Sequence, residues 1–483
     1  MTPTPPSLAG RAVLALLLMV GFYVMALALA GALLFVAYAE VVYFHRVDRL
    51  AIFGLIGGLI ILWNIVPRPD RFEAPGPVLT RERQPRLFGV IEEIATGTGQ
   101  AMPAEVYLVP DVNAWVTTRG GLMGVGSRRV MGLGLPLLQT LGVCELRAVL
   151  AHEFGHYQGG DTRLGPWVYK TRAAIGRTLQ GLAAHSSLLQ KPFVWYGNMF
   201  LRVSHAISRR QELTADRLAA GLYGAGPLAA ALGKIRRAAV AFPTYWSTEV
   251  VPVLGAGLRP PVADGFSRFL ASSRIAAAVD EHVKEPEPAD PYDTHPPLHE
   301  RVAALSDLPP GTAPDEPRAV ELLKDVDALE QEMLALMAAG TTLPAIGWDD
   351  VGQRVYATTW RRAAERHAAA LTGLTVDALL DEAPRLIARL GAEMPADAAH
   401  PSAEAPADYA RWVLSGTLAL ALVEAGWRLR AVPGEPLVVE GALGALDPFQ
   451  TVEELLLGKI DQVGWRRRCE TFGLRGIALA RPV

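Results

Sequence analysis

His152 and His156 stand four residues apart in AHEFGHYQGGD (151–161), with Glu153 beside the first. On a helix, positions i and i+4 share one face a turn apart, so two imidazole nitrogens can meet at one metal ion. Glu153 lies about 100° round that helix, where its carboxylate reaches a water held on the metal. Zinc with three protein ligands keeps an open position and lowers the pKa of its water to about 7. Glu153 would take the water's proton and pass it to a leaving amine, while the metal polarises the peptide carbonyl. The plainer alternative is an ordinary helix carrying two satisfied histidines. A third ligand decides between them.

That ligand should come from another helix. SRRQELTADRLAA (208–220) offers Glu212 and Asp216, again four apart and on one face. Glu212 fits a metal ligand. Asp216, one turn on, fits the acceptor for the outer N–H of a ligating histidine, which fixes the tautomer and raises the ring's basicity. Ala215, Ala219 and Ala220 keep that side small enough for close helix packing. Alternatively this is a plain charged face, with Glu212 and Asp216 paired to Arg209 and Arg217. A third cluster, DTHPPLHER (293–301), places His295 before two prolines that impose extended geometry. His295 is either a rigid donor to the oxyanion of the reaction or the neighbour of a helix start over 298–305.

The surrounding elements must hold these groups. Leu146, Val149, Leu150 and Phe154 form an apolar stripe, and the pattern predicts a helix over 142–157, with Gly155 open to close packing. A second helix is expected over 208–222 and a third over 85–97. Short β-like runs at 105–109, 113–118 and 129–133 lie between Pro, Asp and Gly. Residues 167–206 read as mostly helical, and PFVWYGNMFLRV (192–203) is too short and polar to span a membrane, leaving an interfacial or a core helix. Residues 242–265, punctuated by Pro and Gly, read as a long loop that could cover the cleft. Residues 318–339 read as an amphipathic helix, and the rest of the chain as Ala/Leu-rich and helical. Within it, 412–423 is apolar on all sides but too short to span.

The 483-residue chain has room for two or three domains. Its net charge of −3 and pI near 6.4 leave no basic stripe, so nucleic acid is not an expected partner. Cys144 and Cys469 are too few and too far apart for a disulfide framework or a cysteine zinc cluster. The N-terminus is the strongest compositional signal. Residues 12–39 carry no charge and would form a helix about 42 Å long; 50–66 would add one of about 26 Å. The first run is too long for a signal peptide and a second follows, so both are expected to span. Arg11 precedes the first, and Arg68, Arg71, Arg81, Arg83 and Arg86 follow the second, against Arg46 and Arg49 between them. The positive-inside rule then places the downstream region in the cytoplasm, on a bacterial-type inner membrane.

Taken together, GLGLPLLQTLGVCELRAVLAHEFGHYQGGD, SRRQELTADRLA and THPPLHER resemble the membrane zinc metallopeptidases of the HtpX and type I CAAX prenyl-protease kind, over about 85–305. The resemblance implies a gluzincin fold, one zinc per chain on His152, His156 and Glu212, and Glu153 as general base. It also implies that Asp216 supports a ligand and that His295 lines the site. Asn113, Ala114 and Trp115 match an Asn-Ala-aromatic stretch on a strand edge that receives substrate as an added strand; locally, Asn113 also suits a turn after Pro110 and Asp111. The expected fold class is mostly α with a small β-sheet (α+β). The expected order is a two-span anchor (1–67), a linker (68–84), a metallopeptidase domain (85–307), a linker (308–317) and a helical accessory domain (318–483). No further span is legible after the metal motif, and 310–483 resembles nothing we can name. The expected activity is a membrane-anchored zinc endopeptidase acting on membrane-associated or misfolded polypeptides, with the accessory domain gating access, holding substrate or binding a partner. A maturation protease with one substrate and a non-catalytic zinc-containing scaffold are the alternatives.

Overall fold

The computed structural model describes residues 8–66, 72–120, 127–157, 165–183, 185–284, 296–311, 317–338, 340–395 and 406–480. In chain order the first elements are α1 (Leu8–Phe44), α2 (Arg49–Ile65), β1 (Val78–Leu79), α3 (Pro85–Gly97), β2 (Glu105–Val109), β3 (Ala114–Arg119) and β4 (Arg128–Gly134). Next come α4 (Leu135–Thr140), α5 (Val143–Gly155), α6 (Gly165–Ala183), α7 (Ser187–Tyr223) and α8 (Ala225–Tyr245). A π-helical turn (Trp246–Val250), α9 (Val251–Gly255), α10 (Val262–Ala271), α11 (Ser273–Lys284) and α12 (Leu298–Ala303) follow. Helices dominate and the sheets are small, as an α+β chain requires.

The chain divides into two compact units, one of residues 1–235 and 286–324, the other of 236–285 and 325–483. This differs from a division at 308–317. Residues 236–285 pack with the C-terminal residues because buried polar groups tie them there. Arg259 forks onto Asp327 (2.7 and 3.1 Å), and Glu330 accepts the Val262 and Ala263 N–H groups at the start of α10 (3.0 and 2.7 Å).

In the first unit, α1 contains one segment, Leu16–Phe44, long and apolar enough to cross a bilayer. The expected second span, α2, is apolar but only 17 residues long. Asp48 caps α2 by accepting the Leu50 and Ala51 N–H groups. Gly54 and Gly58 let α2 lie against α1: a Cβ on Gly54 would stand 2.6 Å from the Leu33 carbonyl oxygen, and one on Gly58 2.8 Å from Leu34 Cγ. The stretch 192–203 belongs to α7, and one of its faces packs on α1 and α2. Phe193, Tyr196 and Phe200 are buried with Met19, Phe22, Ala26, Ala30 and Ile61, and the Tyr196 hydroxyl donates to the Leu18 carbonyl at 2.7 Å.

A four-stranded sheet of order β1-β2-β4-β3 precedes the metal helix. β2 and β4 run parallel, while β3 runs antiparallel to β4 with Ala114 opposite Leu133 and Val116 opposite Met131. Alternation puts Val106, Leu108, Met131, Leu133 and Ala114 on one face, all buried. Leu146, Leu150 and Phe154 of α5 are fully buried, so the apolar stripe read from the sequence is the core face of that helix.

The second unit corrects the loop expected over 242–265. That stretch is helical through Val250, continues in α9 and resumes in α10 at Val262. Tyr245 is buried against Phe266, Phe269 and Trp348. The helix expected over 318–339 shortens to Val326–Met337 behind a 3₁₀ turn, because Asp325 adopts left-handed backbone with φ of 53°. The segment 412–423 is a buried helix, within Pro406–Glu424. A three-stranded antiparallel sheet (Arg428–Arg430, Val438–Gly441, Gly444–Leu446) lies in a region the sequence reads as helical. Its strands, of three or four residues, are too short for any periodicity to register.

Candidate metal centre

α5 starts at Gly142, whose N–H is held by the Glu145 carboxylate at 2.8 Å, and Lys234 pairs with the same carboxylate. This fixes the N-terminus of the metal helix. At the other end His156 is the C-cap residue and keeps helical backbone, so the one-turn spacing from His152 persists. The two rings meet at 4.7 Å between centroids, and their Nε2 atoms lie 3.2 Å apart.

α7 crosses α5 closely at Gly155, where a Cβ would stand 3.1 Å from Ala215 Cα and 3.2 Å from Ala215 Cβ. The small residues foreseen at Ala215, Ala219 and Ala220 are buried there. The crossing delivers Glu212 to the histidines: His152 Nε2 lies 3.4 Å from Glu212 Oε2, and His156 Nε2 lies 3.5 Å from Oε1. Glu153 joins the cluster, with a carboxylate oxygen within 4.8 Å of a nitrogen of each histidine. Each Glu212 oxygen lies beside one of the two nitrogens.

These distances fit zinc. Three ligand atoms of a tetrahedral site with bonds of about 2.0–2.1 Å lie about 3.3–3.4 Å apart. The charges fit as well. Glu212 and Asp216 both lie beside the Arg301 guanidinium, at 3.8 and 2.6 Å, and a cluster of buried carboxylates suits a cation.

Asp216 is fully buried and accepts from His152 Nδ1 at 2.8 Å. It does not pair with its helix neighbours: Arg209 reaches Glu300 and Arg217 reaches Asp307, both on the surface. That removes the plain charged-face alternative. Burial would push the Asp216 carboxyl up, but hydrogen bonds from Arg301 and His152 hold it below the usual carboxylate range. For His152, burial disfavours the charged ring, yet Asp216 and Glu212 raise it to about 9. The pocket therefore favours positive charge at this nitrogen cluster.

Arg301 is the residue whose role the sequence reading missed. It lies on α12, is 8 % exposed, and forks onto Asp216 through Nε at 2.8 Å and Nη2 at 2.6 Å. Nη2 also stands 3.4 Å from His152 Nδ1. Arg301 ends the stretch THPPLHER; the signal lay in charge balance, since a buried aspartate beside a metal carboxylate needs a cation. His295 lies outside the described residues.

The strand-edge residues sort by their backbone. The Asn113 carbonyl accepts the Gly134 N–H at 2.8 Å, so Asn113, Trp115 and Thr117 turn their peptide groups toward β4. Ala114, Val116 and Thr118 turn theirs outward. The Trp115 side chain lies over Gly132 beside Tyr107, Val109 and Val130, on the face opposite Ala114. Among Asn113, Ala114 and Trp115, only Ala114 presents backbone to the open edge.

Comparison with known proteins places this site in context. Residues 81–308 match peptidase family M48. The chain is 25 % identical over 243 residues to a protease HtpX homolog of Tropheryma whipplei (strain TW08/27), covering 48 % of this chain and 75 % of the relative. It is 25 % identical over 280 residues to the protease HtpX of Xanthomonas oryzae pv. oryzae, covering 53 % and 84 %. A third relative, the protease HtpX of Idiomarina loihiensis, is 26 % identical over 208 residues, covering 39 % and 70 %. No solved structure matches the chain. The three sequence clusters that meet around His152 fall inside the matched span, which covers just under half of the chain and is similar to the M48 peptidase domain of HtpX proteases.

Proposed function

We propose that this chain is a zinc endopeptidase in which His152, His156 and Glu212 hold the metal and Glu153 is the general base. The observation that carries this reading is the convergence of the two histidines on the Glu212 carboxylate: their Nε2 atoms lie 3.2 Å apart, and each lies within 3.5 Å of a Glu212 oxygen. A zinc ion there would supply an acidified water and a Lewis acid for the scissile carbonyl. Glu153 accepts the proton of the attacking water and transfers it to the leaving nitrogen. Asp216 accepts the His152 Nδ1 proton, which turns Nε2 toward the metal position. Arg301 keeps Asp216 ionised for that task.

The substrate lies along the β3 edge as an added strand, paired through the outward backbone of Ala114 and, further on, Val116. α1 and α2 together form a two-span anchor, supported by their close packing at Gly54 and Gly58. The arginines at 68–86 put the catalytic unit on the cytoplasmic side of the membrane, where its substrates are membrane-associated or misfolded chains. The C-terminal residues serve as an accessory unit that holds substrate or binds a regulator. One experiment tests the core of this reading. Elemental analysis should find about one zinc in the wild type and in Glu153→Gln, and less in Glu212→Ala, with casein cleavage lost in both variants. A zinc-loaded Glu212→Ala would remove the third-ligand assignment, and an active Glu153→Gln would remove the general base.

A further inference from the structure

Tyr157 follows the histidine ligand His156 directly and reaches away from it to the sheet. Its hydroxyl donates to the Val116 carbonyl at 2.8 Å. Its ring is held from one side by the Arg129 guanidinium, 4.2 Å from the ring centroid, and Arg129 is itself fixed on the Ala101 carbonyl at 3.1 Å. The contact matters because of the register of β3. Asn113, Trp115 and Thr117 face β4, so the Val116 carbonyl points outward, on the edge where β4 is not. Among the described residues β3 has β4 as its one strand neighbour. Its outward groups are those an incoming strand would use, and the phenol occupies the acceptor at Val116.

We propose that Tyr157 is a gating residue on the substrate edge: an extended chain must displace the Tyr157 hydroxyl to pair at Val116. This rests on the reading of β3 as the substrate strand. Two consequences follow. At rest, the plug satisfies an exposed acceptor and blunts an edge that would otherwise template pairing with other chains. During binding, the hydrogen bond lost at Tyr157 is replaced by one from a substrate N–H, so the plug weakens every extended ligand that reaches Val116. The gate therefore sets how much strand a substrate must offer, without touching the chemistry at Glu153.

The test uses full-length protein in the Glu153→Gln background, loaded with zinc, and a fluorescein-labelled casein peptide that the wild type cleaves. Tyr157→Phe removes the hydroxyl and keeps the ring on Arg129. Binding of the peptide should tighten about two- to tenfold, the net worth of one hydrogen bond. In the active protein KM should fall by the same factor with kcat unchanged. The same peptide with alternate amides N-methylated serves as control. If N-methylation weakens binding and Tyr157→Phe tightens it, the gate is established. If N-methylation weakens binding but Tyr157→Phe leaves it unchanged or weaker, the gate is overturned and strand addition stands. If N-methylation has no effect, strand addition itself fails and the gate falls with it.

Discussion

Removing the Arg301 guanidinium should loosen a metal that Arg301 never touches. Asp216 is fully buried and takes two charge-assisted hydrogen bonds from Arg301, at 2.6 and 2.8 Å, besides the one from His152. Arg301→Met keeps much of the side-chain volume and deletes the charge. Asp216 is then a buried carboxylate with one partner, and burial drives its pKa upward. Breaking a buried pair in this way costs about 3–5 kcal/mol of stability. A neutralised Asp216 accepts the His152 Nδ1 proton less strongly, and loss of such outer support typically weakens metal binding about 10–100-fold. Zinc affinity measured by competition with a chelating dye should fall within that range. Thermal unfolding in detergent should report the stability loss. Adding Asp216→Asn to Arg301→Met should recover much of the stability, since the Asp216 charge left without its guanidinium is removed, but not the zinc affinity. Wild-type zinc affinity in Arg301→Met would refute the reasoning, because Arg301 would then be a passive neighbour. Arg301→Lys should fall between the two, as lysine keeps the charge but loses the fork.

The second unit offers a pH test. Burial pushes Glu330 up to about 7, even though the Val262 and Ala263 N–H groups donate to it. A raised carboxyl binds its proton more tightly in the folded state, so its contribution is fully present below about pH 4 and lost as pH rises through 7. Between pH 5 and 8 the unit should lose up to about 3 kcal/mol from this group, and Glu330→Gln should flatten that slope in thermal unfolding; an unaltered slope would assign it elsewhere. Truncation after Pro309 removes Asp327 and Glu330, the partners of Arg259 and α10. Residues 236–285 should then become sensitive to limited proteolysis, and persistent protection would contradict their place in the second unit.

The pairing of residues on one helix face was legible in the sequence because helix geometry is local. His152 and His156 share a face through spacing alone, and the same holds for Glu212 and Asp216. The core stripe of α5 follows from a period of 3.6, the strands expected at 105–109 and 113–118 from the Pro, Asp and Gly that bound them, and the apolar helix near the N-terminus from length. The loop expected over 242–265 failed because its Pro and Gly residues signalled breaks, while the aromatic packing of Tyr245 that holds the helix comes from residues distant in sequence. The division at 308–317 reads a Pro-rich linker, whereas residues 236–285 are held to the C-terminal residues by the Arg259–Asp327 ion pair and by backbone hydrogen bonds to Glu330.

For the site, the sequence determined which residue types could bind a metal and activate a water. It could not determine that α7 crosses α5 at Gly155, which is what brings the Glu212 oxygens within 3.5 Å of both histidines. Nor could it show that Arg301, rather than Arg209 or Arg217, neutralises Asp216. The choice among these arginines depends on which one is buried, and burial is a property of packed helices. The edge of β3 makes the same point. Alternation is fixed by the chain, but which alternate peptide groups face outward is fixed by pairing with β4, and only the folded sheet puts the Tyr157 hydroxyl on one of them.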